Sequence, residues 1–188
     1  MRLRYYASAV LLAVLGAACD NTNSPTGMAT MRVMLQDTPF SDSRAVLVTF
    51  SEVSAHRTGA AFVTLGFADG AASRTCDLKK LQGAQDVLGT GPMAQGHYTQ
   101  LRLTVSAATL YFDNPSVGPA CAATIAAPAG ASAPVTVSSG TVILNREFDL
   151  TTDDVTTILL DFDGDGSIIQ TGAGAYRMTP VIAVVSVG

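Results

Sequence analysis

The chain has 188 residues, 15 acidic and 11 basic side chains and a net charge of −4, a length that suits one domain with a short extension. No basic cluster exceeds Lys79-Lys80, which excludes the basic patch or stripe of a nucleic-acid binder. Hydrophobic residues make up 48% of the chain, enough for a core and too many for wholesale disorder.

The N-terminus reads as an address. Arg2 and Arg4 precede an uncharged stretch over residues 5–18 whose centre, Val10-Leu-Leu-Ala-Val-Leu15, is strongly apolar. This is the n-region and h-region of a secretory signal, and it is shorter than the ~20 residues of a spanning helix. The run ends Leu15-Gly-Ala-Ala-Cys19 before a polar stretch. Small residues ahead of a Cys resemble the bacterial lipobox, although Gly16 stands three places before the Cys where Leu is usual. The resemblance implies cleavage after residue 18 and lipidation of Cys19, which would hold the protein on a membrane. Ordinary cleavage near Ala18, leaving a free thiol, is the competing reading. Losing Arg2 and Arg4 makes the net charge two units more negative than −4. Residues 19–27 then form the lipidated Cys and a polar tether without apolar periodicity.

From residue 28 onward the chain reads as short strands separated by turns. Residues 28–35 alternate loosely, and Ala45-Val-Leu-Val-Thr-Phe50 is a continuous apolar run suited to a central strand. Residues 61–65 follow a turn at Gly59. Two single helical turns are expected, over residues 77–82 and 86–88. In residues 98–105, Leu101, Leu103 and Val105 face one way while Gln100, Arg102 and Thr104 face the other. Further strands follow at 109–112, 121–125, 135–137, 142–148 and 156–162, where Ile158, Leu160 and Phe162 share a face. The last covers 176–187. Many short strands with Gly/Pro turns predict an all-β fold, a β-sandwich of immunoglobulin-like or prealbumin-like architecture over residues 28–188. Residues 115–144 carry no charge, but Pro115, Pro119, Pro128 and Pro134 exclude a helix there.

With Cys19 lipidated, Cys76 and Cys121 remain as an even pair in an oxidising compartment. They read as a disulfide, the other reading being two buried free thiols. His56 and His97 are isolated and no C-x-x-C occurs, which argues against zinc.

Several segments taken in order resemble the bacterial DUF4382 family. They are Met34-Leu-Gln-Asp-Thr-Pro39, Ala45-Val-Leu-Val-Thr-Phe-Ser-Glu-Val53, Cys76-Asp-Leu-Lys-Lys-Leu-Gln-Gly83, Gly96-His-Tyr-Thr-Gln-Leu-Arg-Leu103, Leu160-Asp-Phe-Asp163 and Gly174-Ala-Tyr-Arg-Met-Thr-Pro-Val181. The resemblance covers about residues 30–185. It departs at Leu47, where the family often has Trp, and at Cys76, which replaces an aromatic residue. It implies a secreted or lipid-anchored β-sandwich and no activity.

Asp161-Phe-Asp-Gly-Asp-Gly-Ser167 matches the first half of an EF-hand loop, making Asp161, Asp163, Asp165 and Ser167 candidate Ca2+ ligands. Position 12 is Gly172, so the bidentate Glu is missing. Seven of the 15 acids fall within residues 147–165, opposed locally by Arg146 alone, and such crowding favours a neutralising cation. The competing reading is a strand end followed by an Asp-Gly hairpin turn. No cofactor other than that Ca2+ is expected. His56 and His97 read as edge residues without a nucleophile, Arg102 as pairing with an acid across the sheet, and no catalytic constellation stands out. The expectation is an exported, lipid-anchored protein of the bacterial cell envelope, in the periplasm or at the surface. It acts as a binding or structural module with a protein or glycan partner. A calcium-stabilised adhesive domain and a hydrolase of envelope polymers are the alternatives.

Overall fold

The computed structural model describes residues 27–38 and 42–188. The leader, Cys19 and nearly all of the tether lie outside the described residues. Thirteen strands run in chain order. They are β1 (Met28–Thr38), β2 (Ala45–Arg57), β3 (Phe62–Thr64), β4 (Arg74–Asp77), β5 (Asp86–Ala94), β6 (Gly96–Tyr111) and β7 (Cys121–Ala122). Then come β8 (Ser132–Val137), β9 (Thr141–Leu150), β10 (Val155–Asp163), β11 (Ile168–Gln170), β12 (Tyr176–Met178) and β13 (Ile182–Val187). A 3-10 turn, Leu78–Leu81, follows β4, and a four-residue helix α1, Gly164–Ser167, follows β10.

These strands form two sheets that pack as a sandwich. The smaller has the order β13-β10-β1-β5. The larger runs β11-β12-β8-β6-β2-β4-β7, with β3 added to β2 and β9 to β6. Most neighbours are antiparallel; β1 with β10 and β8 with β12 are parallel. Strand alternation decides what is inside. On β1 the inward row is Ala29, Met31, Val33, Leu35 and Asp37; on β10 it is Ile158, Leu160 and Phe162. The larger sheet answers with Val46, Val48, Phe50, Leu101, Leu103 and Leu110. Phe50 meets Phe162 edge-to-face across the sandwich at 6.3 Å, and Tyr98 stacks on its cross-strand partner Phe148 at 5.4 Å.

The all-β expectation holds, and so does the turn after Asp77, whose carboxylate accepts the Lys79 N–H at its start. Four local readings need correction. Residues 86–88 are not a helical turn: they open β5, which pairs with β1 along Met28–Leu35. As an edge strand β5 tolerates Pro92, and the bridge from Gly89 to Phe67 leaves no room for a side chain, since a Cβ there would meet the Gly66 carbonyl at 2.9 Å. Residues 98–105 and 109–112 are one strand, β6, kinked by a bulge at Ser106 that shifts the buried positions by one, from Val105 to Ala108 and Leu110. The strand expected over 121–125 is reduced to the two residues of β7. No Asp-Gly hairpin follows β10; the chain turns through α1 into β11.

Candidate functional site

Asp77 organises one end of the larger sheet. It is fully buried, and its carboxylate is consumed by the protein. Oδ1 accepts from the Val46 N–H at 3.0 Å and the Lys79 N–H at 3.1 Å, and Oδ2 accepts from Ser116 Oγ at 2.6 Å. The Asp77 N–H donates to the Ala120 carbonyl at 2.8 Å. One side chain thus joins the start of β2, the 3-10 turn and the connection between β6 and β7. That connection is held again by Lys80 Nζ donating to the Gly118 carbonyl at 2.8 Å and by Arg74 donating to the Cys121 carbonyl at 3.1 Å. Cys76 and Cys121 face each other across β4 and β7, with Cα atoms 4.1 Å apart, and are joined by a disulfide.

Between these segments lies a cleft of about 500 Å3. Ser43 and Arg44 line one wall, Lys79 and Lys80 the second, Asp113 and Pro115 the third, and Asp77 the floor. A smaller hollow continues past Ser43 and Arg44 to Phe112. Arg44 is exposed and is fixed by its backbone, whose N–H donates to the Tyr111 carbonyl at 2.7 Å. Among the described residues its guanidinium has no ion pair. Ser43 is buried at 7% exposure, and among the described residues its hydroxyl has no hydrogen-bond partner. Buried polar atoms are almost always bonded, and this hydroxyl, with under 1 Å2 of its own surface open, is an exception. The lining sets three cations, Arg44, Lys79 and Lys80, against the acids Asp77 and Asp113, and the smaller hollow adds Asp42.

The calcium candidates are not brought together. Asp161 Oδ2 accepts from Thr38 Oγ1 at 2.7 Å, Asp163 Oδ1 accepts from the Gly166 N–H at 2.8 Å, and Ser167 Oγ accepts from the Val181 N–H at 2.8 Å. Asp165 is exposed on α1. Asp161 and Asp163 belong to a strand, where alternate side chains sit about 7 Å apart. Among the described residues no three acidic, His or Cys side chains are grouped to hold a metal ion.

His97 contacts Asp149 through Nδ1 at 2.9 Å, while its Nε2 lies 3.9 Å from Glu147. These are exposed cross-strand contacts between β6 and β9. His56 shares a hydrogen bond with Thr99 at 3.0 Å. Arg102 pairs with Glu52 at 2.5 Å and lies 4.2 Å over the Phe62 ring, bracing the outer face of the larger sheet. The guanidinium holds the Glu52 carboxyl below its ordinary pKa.

The least satisfied group is Asp37. Both carboxyl oxygens are buried facing the Gln82 amide and the Gly164 N–H, and among the described residues neither makes a hydrogen bond of normal geometry. Burial pushes the Asp37 pKa up to about 8, Asp161 adds to the rise, and the Gln82 amide, the Gly164 N–H and Lys79 offset part of it. Its parity with Val33 and Leu35 is the sequence signal for its burial. Ser43, Arg44, Lys79, Lys80 and Asp113 had no such signal, because three distant segments supply them.

No curated protein and no solved structure matches this chain. A family model matches residues 28–180, which spans β1 to β12, the cleft walls and Asp37. The chain belongs to the DUF4382 family, a domain of unknown function.

Proposed function

We propose that the protein is a lipid-anchored module of the bacterial cell envelope that binds a ligand in the Arg44–Lys80 cleft and performs no chemistry on it. The observation that carries the binding reading is the cleft of about 500 Å3 in which exposed Arg44 comes together with half-buried Lys79 and Lys80. The envelope reading is supported by the leader, by Cys19 at its end and by the disulfide, which belongs to an oxidising compartment. The polar tether would let the sandwich stand off the membrane.

Two measurements test this reading. Labelled palmitate is expected in the full chain and in the membrane fraction, and Cys19→Ser is expected to lose both; equal labelling of the variant contradicts the anchor. The detergent-solubilised mature protein is expected to cosediment with lipid-free envelope polymer. An Arg44→Glu/Lys80→Glu variant is expected to sediment at least tenfold less. Equal sedimentation contradicts the cleft as the binding site.

A further inference from the structure

We propose that β13 is a docking edge for a second copy of this chain: two β13 strands pair antiparallel about a two-fold axis and join the two smaller sheets into one continuous sheet. The inference rests neither on the cleft nor on the anchor.

Three observations lead to it. The first is a comparison of edges. A strand at a sheet edge offers a row of backbone N–H and C=O groups to other chains, and proteins blunt such rows with short strands, charges, Pro or a covering segment. β3, β7 and β11 have only two or three residues each. β9 carries Arg146, Glu147 and Asp149. β5 contains Pro92 and is covered by residues 66–68, which bond to it at Leu88 and Thr90. β13 has none of these guards. It has six residues, ends its sheet beyond β10, and no charged side chain stands between Val181 and Gly188. The backbone bonds at its two ends, from Asp163 to Val181 and between Thr157 and Gly188, go to the β10 side. β9 of the larger sheet passes near it, yet among the described residues no backbone bond joins the two. Its bulge, opposite Leu159 and Leu160, adds a valine, Val185, and not a charge.

The second observation is apolar surface. Val181, Ala183 and Val185 are exposed, the two valines at 44% and 52%. Val184 and Val187 pack against the core but are only half-buried. A strand added to this edge covers apolar groups on both faces, which is the main gain of association. The third is charge, and it decides the occupant. The chain has a net charge of −4 and seven of its acids within residues 147–165, yet this edge is neutral along its length. A charged partner strand finds no opposite charge there. An uncharged valine-rich strand matches it, and β13 set antiparallel on its own copy places no like charges opposite each other. Two-fold pairing uses the same edge on both copies and leaves no free β13 behind, so it closes as a dimer and does not grow into a fibre. A strand pair with its flanking valines is a small interface, so the dimer is expected to exchange with monomer on dilution.

Light scattering on the detergent-solubilised mature protein, with the detergent share subtracted, tests the proposal over a dilution series. The particle is expected to hold two chains at the concentrated end and one at the dilute end. Val185→Lys is expected to raise the dissociation constant at least tenfold, with an unchanged unfolding midpoint verifying the fold. Ser186→Lys, also exposed on β13, repeats the test should that midpoint fall. Val63→Lys on β3, 49% exposed, is expected to leave the constant unchanged. In intact membranes a bifunctional maleimide is expected to join Val185→Cys chains into dimers and to leave Val63→Cys chains single. Four results overturn the proposal: one chain per particle throughout the series, a dimer whose constant ignores both lysine variants, equal crosslinking of Val63→Cys and Val185→Cys, or Val185→Cys crosslinked only to a different protein. The last would give the edge to another partner and remove the second copy as its occupant.

Discussion

An Asp37→Asn variant is expected to unfold at a higher temperature than the wild type at pH 8 and at the same or a lower temperature at pH 4. The carboxyl is 6% exposed, among the described residues has no hydrogen bond of normal geometry to either oxygen, and has a pKa of about 8 against an ordinary 3.8. Below pH 3.8 it is protonated in the folded and the unfolded chain, so its ionisation costs nothing. As pH rises through the interval up to about 8, the unfolded chain releases a proton that the folded chain keeps, and folding weakens steadily. Above about 8 both states are ionised and the loss is complete. The cost at pH 7 is about 4 kcal/mol, since each pKa unit is worth roughly 1.4 kcal/mol. Burial sets most of it, Asp161 on β10 adds to it, and the Gln82 amide, the Gly164 N–H and Lys79 after β4 relieve part of it. An Asn of the same shape does not ionise, but it buries an amide at a cost of about 1–3 kcal/mol if unpaired. The net gain at pH 7–8 is therefore about 1–3 kcal/mol, or several degrees for a chain of this size. Melting curves from pH 4 to 9 decide it. Parallel curves for the two proteins would mean that Asp37 is ionised and partnered in solution.

Asp37 also shows how much the sequence carries. The alternation of β1 places it in the same inward row as Val33 and Leu35, so its burial was readable from parity alone. Its lack of partners was not, because the groups facing it come from Gln82, Lys79, Asp161 and Gly164, far apart in the chain. The long strand β6 was readable in its first half for the same reason. Its pattern breaks at Ser106 because a bulge and a true strand break both interrupt the period of two. At β5, Gly89, Gly91 and Pro92 dilute the apolar pattern, and the strand exists through its ladder with β1 rather than through its own propensity. The Asp161–Ser167 segment offers the opposite lesson. Its spacing fits ligands on a loop, but β10 continues through Asp163 and α1 takes up the rest, so backbone geometry separates oxygens that the spacing aligns. The cleft was the least legible feature. The turn after Asp77 is local and readable, yet it becomes one wall of a site only when β2 begins beside it and the residues after β6 fold over it.

Those residues are also why the disulfide has the second large effect. A Cys76→Ala/Cys121→Ala variant is expected to lose about 4 kcal/mol of stability, because the bridge closes a loop of 45 residues in the unfolded chain. For 188 residues this lowers the unfolding midpoint by about 10 °C. Reductant alone is expected to act slowly on the native protein, since Cys76 and Cys121 are 0% and 3% exposed and must be uncovered first. The loss has a local consequence as well. β7 contributes only two residues to its ladder, so the bridge supplies what a short strand cannot. Upstream of Cys121 the chain carries Ser116, bonded to Asp77, and Pro115 and Asp113, which form the third wall of the cleft. Without the bridge that wall rests on the hydrogen bonds of Asp77 to Ser116 and Ala120, of Lys80 to Gly118, and on the Arg74 and Asp86 contacts to Cys121. The alanine variant is therefore expected to weaken ligand binding in the cleft at temperatures where the sandwich is still folded. Backbone hydrogen exchange is expected to rise first in residues 113–122 and only later in β2 and β6. Uniform exchange throughout, or a midpoint lowered by less than about 2 °C, would mean that the wall is held by its hydrogen bonds and that the bridge adds nothing to the site.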